Sequence, residues 1–149
     1  MHKAEVFVET DVLAAYLTHN GGKPSVLRTL AAQAMCFTSV QNATECIAAA
    51  SNENERYHTE SVLWGLKVLG FHHKYSLTFG DTYRQLPDAR KDLRSSIIAG
   101  LCVLSKLPLA TYDTDRYAAF DGLAILDAAT VQPGDGWNAI QTNIIINGG

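Results

Sequence analysis

The apolar residues of this chain fall into two alternating patterns. Short apolar or β-rich runs, typical of strands, occur at residues 4–9, 35–40, 108–111 and 123–128. Apolar residues at helical spacing separate these runs and predict helices around residues 12–17, 41–50, 76–86 and 89–106. Strands that alternate with helices predict an α/β fold, with a mostly parallel sheet that is covered on both faces.

Turn residues and weaker patterns predict the remaining elements. Asn20-Gly21-Gly22 predicts the end of the first helix, and Pro24-Ser25 predicts the start of a second. Residues 51–55 are polar and predict a loop. Beyond them, apolar residues at helical spacing predict a helix over 62–70, which a brief strand over 71–75 follows.

The last seventeen residues have a less regular pattern. We treat residues 133–149 as an extension of the domain and leave two alternatives open. Asp135 is a candidate cap for a short helix through Trp137 and Ile140. The final NIIINGG is either an extra strand or an arm that packs against the domain.

Length and composition narrow the class of protein. With 149 residues and 47% hydrophobic content, the chain fits one domain over residues 1–149. No run approaches the ~18 apolar residues of a membrane span, and the start does not have the pattern of a secretory signal, so we expect a soluble, cytoplasmic protein.

Cys36, Cys46 and Cys102 lie beside apolar residues without metal-binding spacing, and they predict buried, reduced thiols. The net charge of -3 argues against a protein that holds nucleic acid by overall electrostatic attraction.

Acidic side chains recur where the predicted strands end. The acids at these positions are Glu9, Asp11, Glu45, Asp113 and Asp115. Parallel strands direct their carboxyl ends to one edge of a sheet, where ligands bind. Carboxylate oxygens suit hard cations such as Mg²⁺ and Mn²⁺, so the acids predict a divalent-metal site that activates water for attack on phosphorus. Taken singly, each acid is more often a solvated loop residue or a helix cap.

Four segments of the sequence resemble the PIN-domain family. FVETDVLAAYL resembles the opening of the family, where a strand ends in an acid-Thr-Asn/Asp-Val-Leu turn. FTSVQNATECIA resembles its second strand and the following helix, and IIAGLCVLSKLPLATYDTDRY resembles its later helix, strand and Thr-x-Asp turn. VLGFHHKYSLTFGDTYRQL resembles the intervening region of VapC-type PIN toxins. Together the segments span residues 5–127 in the order of the family.

The resemblance implies a three-layer α/β/α sandwich and a metal-dependent endoribonuclease that uses Mg²⁺ or Mn²⁺, commonly as the toxin of a toxin–antitoxin pair. By position, Glu9 takes the place of the first Asp of the family, and Glu45 and Asp113 match its acids directly. These three are the implied catalytic metal ligands. Asp115 matches a frequent auxiliary acid that also binds metal, and Asp11 takes the place of a supporting Asn.

The chain departs from the family at two of the acidic positions. Glu9 is one methylene longer than the Asp that it replaces, but it remains the same type of ligand. The third acid of the family falls on Ser95, which is neutral. Asp92 lies one predicted helical turn earlier and substitutes if its side chain or a water reaches the metal. The alternatives are a weakened site, a single-metal site and an inactive one.

Basic residues lie beside the doubtful acid. Lys91 and Arg94 lie on either side of Asp92, and Arg116 follows the acidic turn, so all three are candidates for binding RNA phosphates. A solvated helix face explains Lys91 and Arg94 equally well, and Arg116 is also placed to neutralise the neighbouring acids. Thr111 is expected to orient a carboxylate or a water and not to act as a nucleophile.

These observations lead to three hypotheses about function. The leading one is a metal-dependent ribonuclease of VapC type, with RNA as substrate and an antitoxin as partner. The alternative, which Ser95 favours, is a PIN-like protein that has lost catalysis and serves as an RNA-binding or assembly module. The third is a DNA-directed or phosphatase-like metal hydrolase, since fold and carboxylates do not define a substrate. Aromatic residues at Tyr57, Trp64 and Trp137 also predict a homodimer.

Overall fold

The computed structural model describes residues 3–18 and 25–148. The strands in these residues are β1 (Glu5–Val8), β2 (Met35–Ser39), β3 (Lys67–Leu69), β4 (Leu109–Thr111), β5 (Ala124–Asp127) and β6 (Ile144–Ile146). The helices are α1 (Thr10–Leu17), α2 (Val26–Gln33), α3 (Val40–Ala48), α4 (Glu53–Trp64), α5 (Tyr75–Gln85), α6 (Leu93–Ser105), α7 (Thr114–Tyr117) and α8 (Trp137–Gln141). Short 3₁₀ turns cover Asp88–Arg90 and Ala128–Thr130.

The strands form one sheet in the order β3-β2-β1-β4-β5-β6. Strands β1 to β5 pair in parallel, with Phe7 of β1 opposite both Phe37 and Leu109, and β6 runs antiparallel to β5. The chain builds outward from β1 through β2 to β3 and then returns to place β4 on the other side of β1. At such a reversal of strand order, a crevice opens beyond the carboxyl ends of the strands.

Both faces of the sheet are covered by helices. Val6 and Val8 belong to one hydrophobic core and Phe7 to the other, because successive side chains of a strand point to opposite faces. The first core includes Leu30 of α2, and the second includes Ile98 of α6. Val6, Phe7 and Val8 of the central strand β1 are therefore all buried, as is typical of parallel strands with two covered faces. The predicted three-layer α/β/α fold with a mostly parallel sheet is confirmed.

Two predictions about the segment after α4 are wrong. The apolar pattern over 62–70 is not one helix, since α4 ends at Trp64 and residues Lys67–Leu69 form β3. This strand lies at the sheet edge, pairs with β2 and is only three residues long, too short for its alternation to be distinguished from helical spacing. The brief strand predicted over 71–75 is absent from this described segment, and α5 begins at Tyr75.

Two helix starts also differ from the prediction. Asn52 caps α4, so part of the predicted loop over 51–55 is helical. The helix predicted over 89–106 begins at Leu93, because Asp92 is its N-cap and accepts a hydrogen bond from the Ser95 backbone nitrogen at 3.3 Å. Asp92 is therefore the capping residue of α6, and its carboxylate contacts both the backbone and the side chain of Ser95.

The C-terminal extension contributes α8 and β6. Gly136 occupies the N-cap position of α8, whereas the Asp135 carboxylate accepts a hydrogen bond from the Gln132 backbone nitrogen. Ile144–Ile146 forms the extra strand, which was one of the two alternatives. At the other end of the chain, Ser25 caps α2, while the helix end predicted at 20–22 lies outside the described residues.

Two further predictions concern cysteines and membrane spans. Cys36, Cys46 and Cys102 are buried free thiols, as predicted. None of the helices in the described residues has the length and apolar character that crossing a membrane requires.

The contact between α5 and α6 gives a test of the packing. A Cβ at Gly100 would lie 2.8 Å from a ring carbon of the buried Phe79. We expect Gly100→Ala to lower the free energy of unfolding by about 1–2 kcal/mol, because overpacking costs more than the gain in helix propensity. Gly80→Ala is the matched control, since a Cβ there has no neighbour within 4 Å. Urea melts of both variants measure the difference, and equal stability of the two would contradict this packing.

Candidate functional site

The candidate site lies at the carboxyl ends of β1, β2 and β4. Glu9 directly follows β1 and caps α1. Glu45 lies on α3, the helix that follows β2, and Asp113 follows β4 and caps α7. The reversal of strand order between β1 and β4 thus places three acidic segments at one edge of the sheet.

Two helix caps fix Glu9 in the interior. The Glu9 carboxylate accepts a hydrogen bond from the Thr10 backbone nitrogen at 2.7 Å. Ser39 and Asn42 form a capping box at the start of α3, and the Asn42 side-chain nitrogen also donates to Glu9 Oε1 at 2.8 Å. Only 6% of the Glu9 side chain is exposed, so its charge requires partners.

The Arg94 guanidinium lies between Glu9 and Glu45 and binds both. Nη1 and Nη2 donate to the two oxygens of Glu9 at 2.8 Å each. Nε and Nη2 donate to the two oxygens of Glu45 at 2.6 and 2.7 Å. Arginine suits this arrangement because its planar donors match a carboxylate in a two-bonded fork. One cation on α6 therefore joins the acids that follow β1 and β2.

The acceptor capacity of both carboxylates is used up. Each Glu9 oxygen accepts at least two hydrogen bonds, and the donors are Thr10, Asn42, Arg94 and Tyr117. Each Glu45 oxygen accepts two, and the donors are Thr10, Gln41 and Arg94. A carboxylate oxygen offers two lone pairs, so these contacts leave no lone pair for a further ligand.

These contacts also set the protonation states. Burial raises the pKa of Glu9, but hydrogen bonds from Arg94, Tyr117 and Thr10 outweigh it and leave that pKa below its ordinary value. The hydrogen bond from Arg94 lowers the pKa of Glu45 to about 2. The bonds to Glu45 and Glu9 raise the pKa of Arg94 in turn. At neutral pH the three groups are therefore charged.

A second group of ion pairs joins Asp113 to Asp92. Arg116 donates through Nε to Asp113 at 2.9 Å and through Nη1 to Asp92 at 3.2 Å. The same Asp92 oxygen accepts a hydrogen bond from Ser95 Oγ. Ser95 is fully buried. The hydrogen bond from Arg116 lowers the pKa of Asp113.

Asp11 and Thr111 tie α1 to the end of β4. Thr111 Oγ1 donates to Asp11 Oδ2 at 2.8 Å, and the Tyr112 backbone nitrogen donates to the same oxygen at 3.0 Å. The other oxygen, Asp11 Oδ1, is buried and has no hydrogen-bond partner in residues 3–18 or 25–148. Burial raises the pKa of Asp11.

The remaining predicted site residues lie further out or have partners in the protein. Asp115 is 84% exposed and pairs with Arg90 at 3.4 Å. Lys91 Nζ donates to the backbone carbonyls of Tyr83 and Arg84 at 3.0 and 3.1 Å. Like Arg94 and Arg116, Lys91 already has partners within the chain.

Comparisons with known proteins address the fold. No family model matches the chain, and no curated protein matches it. Among solved structures it is similar to VapBC-1 from nontypeable Haemophilus influenzae, with a TM-score of 0.70 and 18% identity over 84% of this chain and 98% of that one. It is similar to FitAcB from Neisseria gonorrhoeae, with a TM-score of 0.67 and 17% identity over 85% and 99% of the chains. It is also similar to DNA-bound VapBC from Salmonella typhimurium, with a TM-score of 0.65 and 18% identity over 84% of this chain and 98% of that one.

The chain has a PIN-like fold. The resemblance of the four sequence segments to VapC-type PIN proteins is therefore confirmed at the level of the fold. At 13–18% identity, these structures support no statement about individual side chains of the site.

The site does not fit the divalent metal that the resemblance implies. The oxygens of Glu9 and Glu45 are filled by protein donors, and Asp113 is paired with Arg116. Ser95 contributes no charge where a third acid is implied. Within the described ranges, no group of three or more His, Cys, Asp or Glu side chains is placed to hold a metal ion. The assignment of these acids as Mg²⁺ or Mn²⁺ ligands therefore stays a prediction, and the geometry does not favour it.

The sequence does not predict every residue of this site. Asn42 lies three residues after Ser39, at the spacing of a capping box, so its position is recognisable but its bond to Glu9 is not. Tyr117 donates to Glu9 across 108 positions of the chain, and no local pattern predicts that contact. Arg94 directly precedes Ser95, the position where the resemblance expects an acid. A basic residue beside that neutral position is the signal in the sequence that could have indicated its ion pairs.

The lowered pKa of Glu45 predicts a loss of stability in acid. Its pKa is about 2 in the folded protein and 4.5 ordinarily, so the ionised form stabilises the fold above pH 4.5. That contribution, on the order of 3 kcal/mol, should disappear as the pH falls through about 2. NMR titration of the Glu45 carboxyl carbon and urea melts between pH 5 and 2 measure both effects. In Arg94→Gln the Glu45 pKa should move back towards 4.5, and a wild-type value already near 4.5 would contradict the ion pair.

Proposed function

We propose that this PIN-like protein acts by binding a protein partner of the antitoxin type and does not hydrolyse RNA with a divalent metal. The observation that carries the proposal is the position of Arg94, which donates four hydrogen bonds to Glu9 and Glu45. A dication entering between these acids meets a resident positive charge at contact distance. Repulsion of that kind amounts to several kcal/mol at an effective dielectric constant of about 20.

The basic residues near the site support a protein partner over RNA. Phosphate binding needs cations whose donors face solvent. Arg94 is committed to two carboxylates, Arg116 to two more, and Lys91 to backbone carbonyls. The net charge of -3 adds no general attraction for a polyanion. The proposed phosphate-binding role of these three residues is therefore the weaker alternative.

A surface suited to a protein partner lies on α4 and β3. Tyr57 is 73% exposed and Trp64 is 87% exposed, an unusual exposure for large aromatic side chains. A groove of about 550 Å³ lies beside Trp64; its lining residues are Ile47, Arg56, Glu60, Leu63, Trp64, Leu66 and Val68. Aromatic and aliphatic groups bordered by charged ones are typical of protein interfaces. The similar solved structures, a toxin–antitoxin complex from Klebsiella pneumoniae among them, support a partner of that class.

The competing function is metal-dependent endoribonuclease activity, with RNA as substrate and Mg²⁺ or Mn²⁺ held by Glu9, Glu45, Asp113 and Asp115. What favours it is the convergence of three acidic segments at the carboxyl edge of a PIN-like sheet. This function requires Arg94 to leave the two glutamates before a metal enters, and it requires a substitute for the acid missing at Ser95. We therefore rank it second.

The assembly and location of the protein remain proposals. A homodimer is a second way to cover the exposed aromatic groups of α4, and it is compatible with a partner of the antitoxin type. Trp137, which also entered the dimer prediction, is partly buried against the first core and does not add to this surface. A single domain that works in the cytoplasm is consistent with these roles.

An RNase assay separates the proposal from the competing function. Purified wild-type protein and Asp113→Asn are incubated with a mixture of structured and single-stranded RNAs, in Mn²⁺ and in EDTA. We expect the same background level of cleavage in all four samples, because the acids are occupied by Arg94 and Arg116. Cleavage that needs Mn²⁺, stops in EDTA and is lost in Asp113→Asn would contradict the proposal and establish the nuclease.

A further inference from the structure

We infer that the free edge of β3 is the docking site for an extended, acidic segment of the protein partner, which adds to the sheet as a further strand. The inference rests on the proposed function, since it takes the protein to act through a partner. It goes further because it assigns the strand that binds, the backbone conformation of the bound segment and the charge of its side chains.

The strand β3 has a strand partner on one side only. It is the first strand in the order of the sheet, and Lys67, Val68 and Leu69 pair with β2. Within residues 3–18 and 25–148, no backbone hydrogen bond outside this pairing involves these residues. The other side of an edge strand presents N–H and C=O groups that an extended chain can satisfy.

The groove beside Trp64 lies on one face of this edge. Leu69 packs against the second core, so the side chain of Val68, next to it in the strand, points to the face of the first core. The groove of about 550 Å³ is lined by Val68 and by Leu66, and Leu66 packs against the first core. A side chain placed opposite Val68 on an added strand would therefore point towards this groove.

A second hollow, of about 610 Å³, lies at the same edge. Its lining includes Lys67 and Leu69, together with Phe37 of β2, which packs against the second core. Trp64 and Val68 line both hollows. An added strand directs successive side chains to opposite faces, so alternate residues of one extended segment would fill the two hollows in turn.

The charge at this edge selects an acidic segment. The charged residues that line the second hollow are Lys3 and Lys67, and both are exposed. In the part of the chain that the structure describes, neither lysine forms a salt bridge. An Asp or Glu on the added strand opposite Lys67 gains an opposite-charge pair, whereas two copies of this chain pairing edge to edge would bring their lysines together.

The edge strand β6, at the other end of the sheet, has the opposite character. Ile145 and Ile146 of this strand are exposed, so β6 also offers apolar side chains at an unpaired edge. The charged residues that line the hollow beside β6 are Asp115 and Asp127. An acidic segment is therefore attracted to β3 and repelled from β6, and β6 serves as an internal control.

Fluorescence anisotropy with labelled synthetic peptides tests the inference. The first probe is a short peptide that alternates valine with glutamate, the second has lysine in place of glutamate, and the third has proline in place of valine. We expect the wild-type protein to bind the first at concentrations up to about 1 mM and the other two at least about tenfold more weakly. Lysine is repelled by Lys3 and Lys67, and proline has no backbone N–H for a strand pairing.

Substitutions in the protein assign the binding to β3. Lys67→Glu should weaken binding of the glutamate peptide by at least about tenfold and strengthen binding of the lysine peptide. Trp64→Ala should weaken the glutamate peptide by about tenfold, because it removes the large exposed side chain that lines both hollows. Ile145→Ala, which removes an exposed apolar side chain from the other edge strand, is the matched control and should bind like the wild type.

Hydrogen exchange followed by NMR shows how the peptide is bound. Strand addition should slow exchange of backbone amides in Lys67–Leu69 and leave those of Ile144–Ile146 unchanged. Binding that protects β6, or that leaves the amides of β3 unprotected, overturns the inference. So does a wild type that binds none of the peptides up to about 1 mM, or that binds the glutamate and lysine peptides equally.

The inference and the proposed function fail in different ways. RNA cleavage by the wild type that depends on Mn²⁺ overturns the proposed function, whatever the peptides do. A wild type that shows no such cleavage and does not bind the glutamate peptide at β3 overturns the inference alone.

Discussion

The guanidinium of Arg94, held between the carboxylates of Glu9 and Glu45, is the interaction on which the carboxyl edge of the sheet depends. Glu9 caps α1, Glu45 lies on α3 and Arg94 lies on α6, so one cation joins helices from both faces of the sheet. The pairing involves groups that are mostly withdrawn from water. Its Coulombic gain offsets desolvation only because every carboxylate oxygen is fully hydrogen-bonded.

Because of this interaction, the function of the site does not follow from the fold alone. The sheet order, the helix layers and the similarity to VapBC and FitAcB structures describe a PIN-like fold. The side chains at its carboxyl edge form an ion-paired cluster, in which Arg94 and Arg116 are bonded to four acids. A fold supplies the place for a site, and the chemistry depends on which groups occupy it. Here the acids form ion pairs with the two arginines, and these pairs hold neighbouring helices together.

The sequence predicts the elements that are long or buried and misses those decided by distant contacts. Apolar runs predict β1, β2 and β4, because strands with two covered faces must be apolar. The position of Glu9 and Asp113 just after such strands predicts that they belong to the site. β3 is missed because three residues at a sheet edge carry too little pattern. Arg94 is assigned to phosphate because its partners lie 49 and 85 positions away, and spacing along a helix does not report such pairings.

Crystals of the wild-type protein soaked in Mn²⁺ give the most direct measurement of the central claim. An anomalous difference map would locate any manganese at the carboxyl edge, and the electron density would show where the Arg94 side chain lies. The account predicts no manganese peak between Glu9 and Glu45, with the guanidinium still bonded to both. A manganese peak between the two carboxylates, with Arg94 displaced towards solvent, would contradict it.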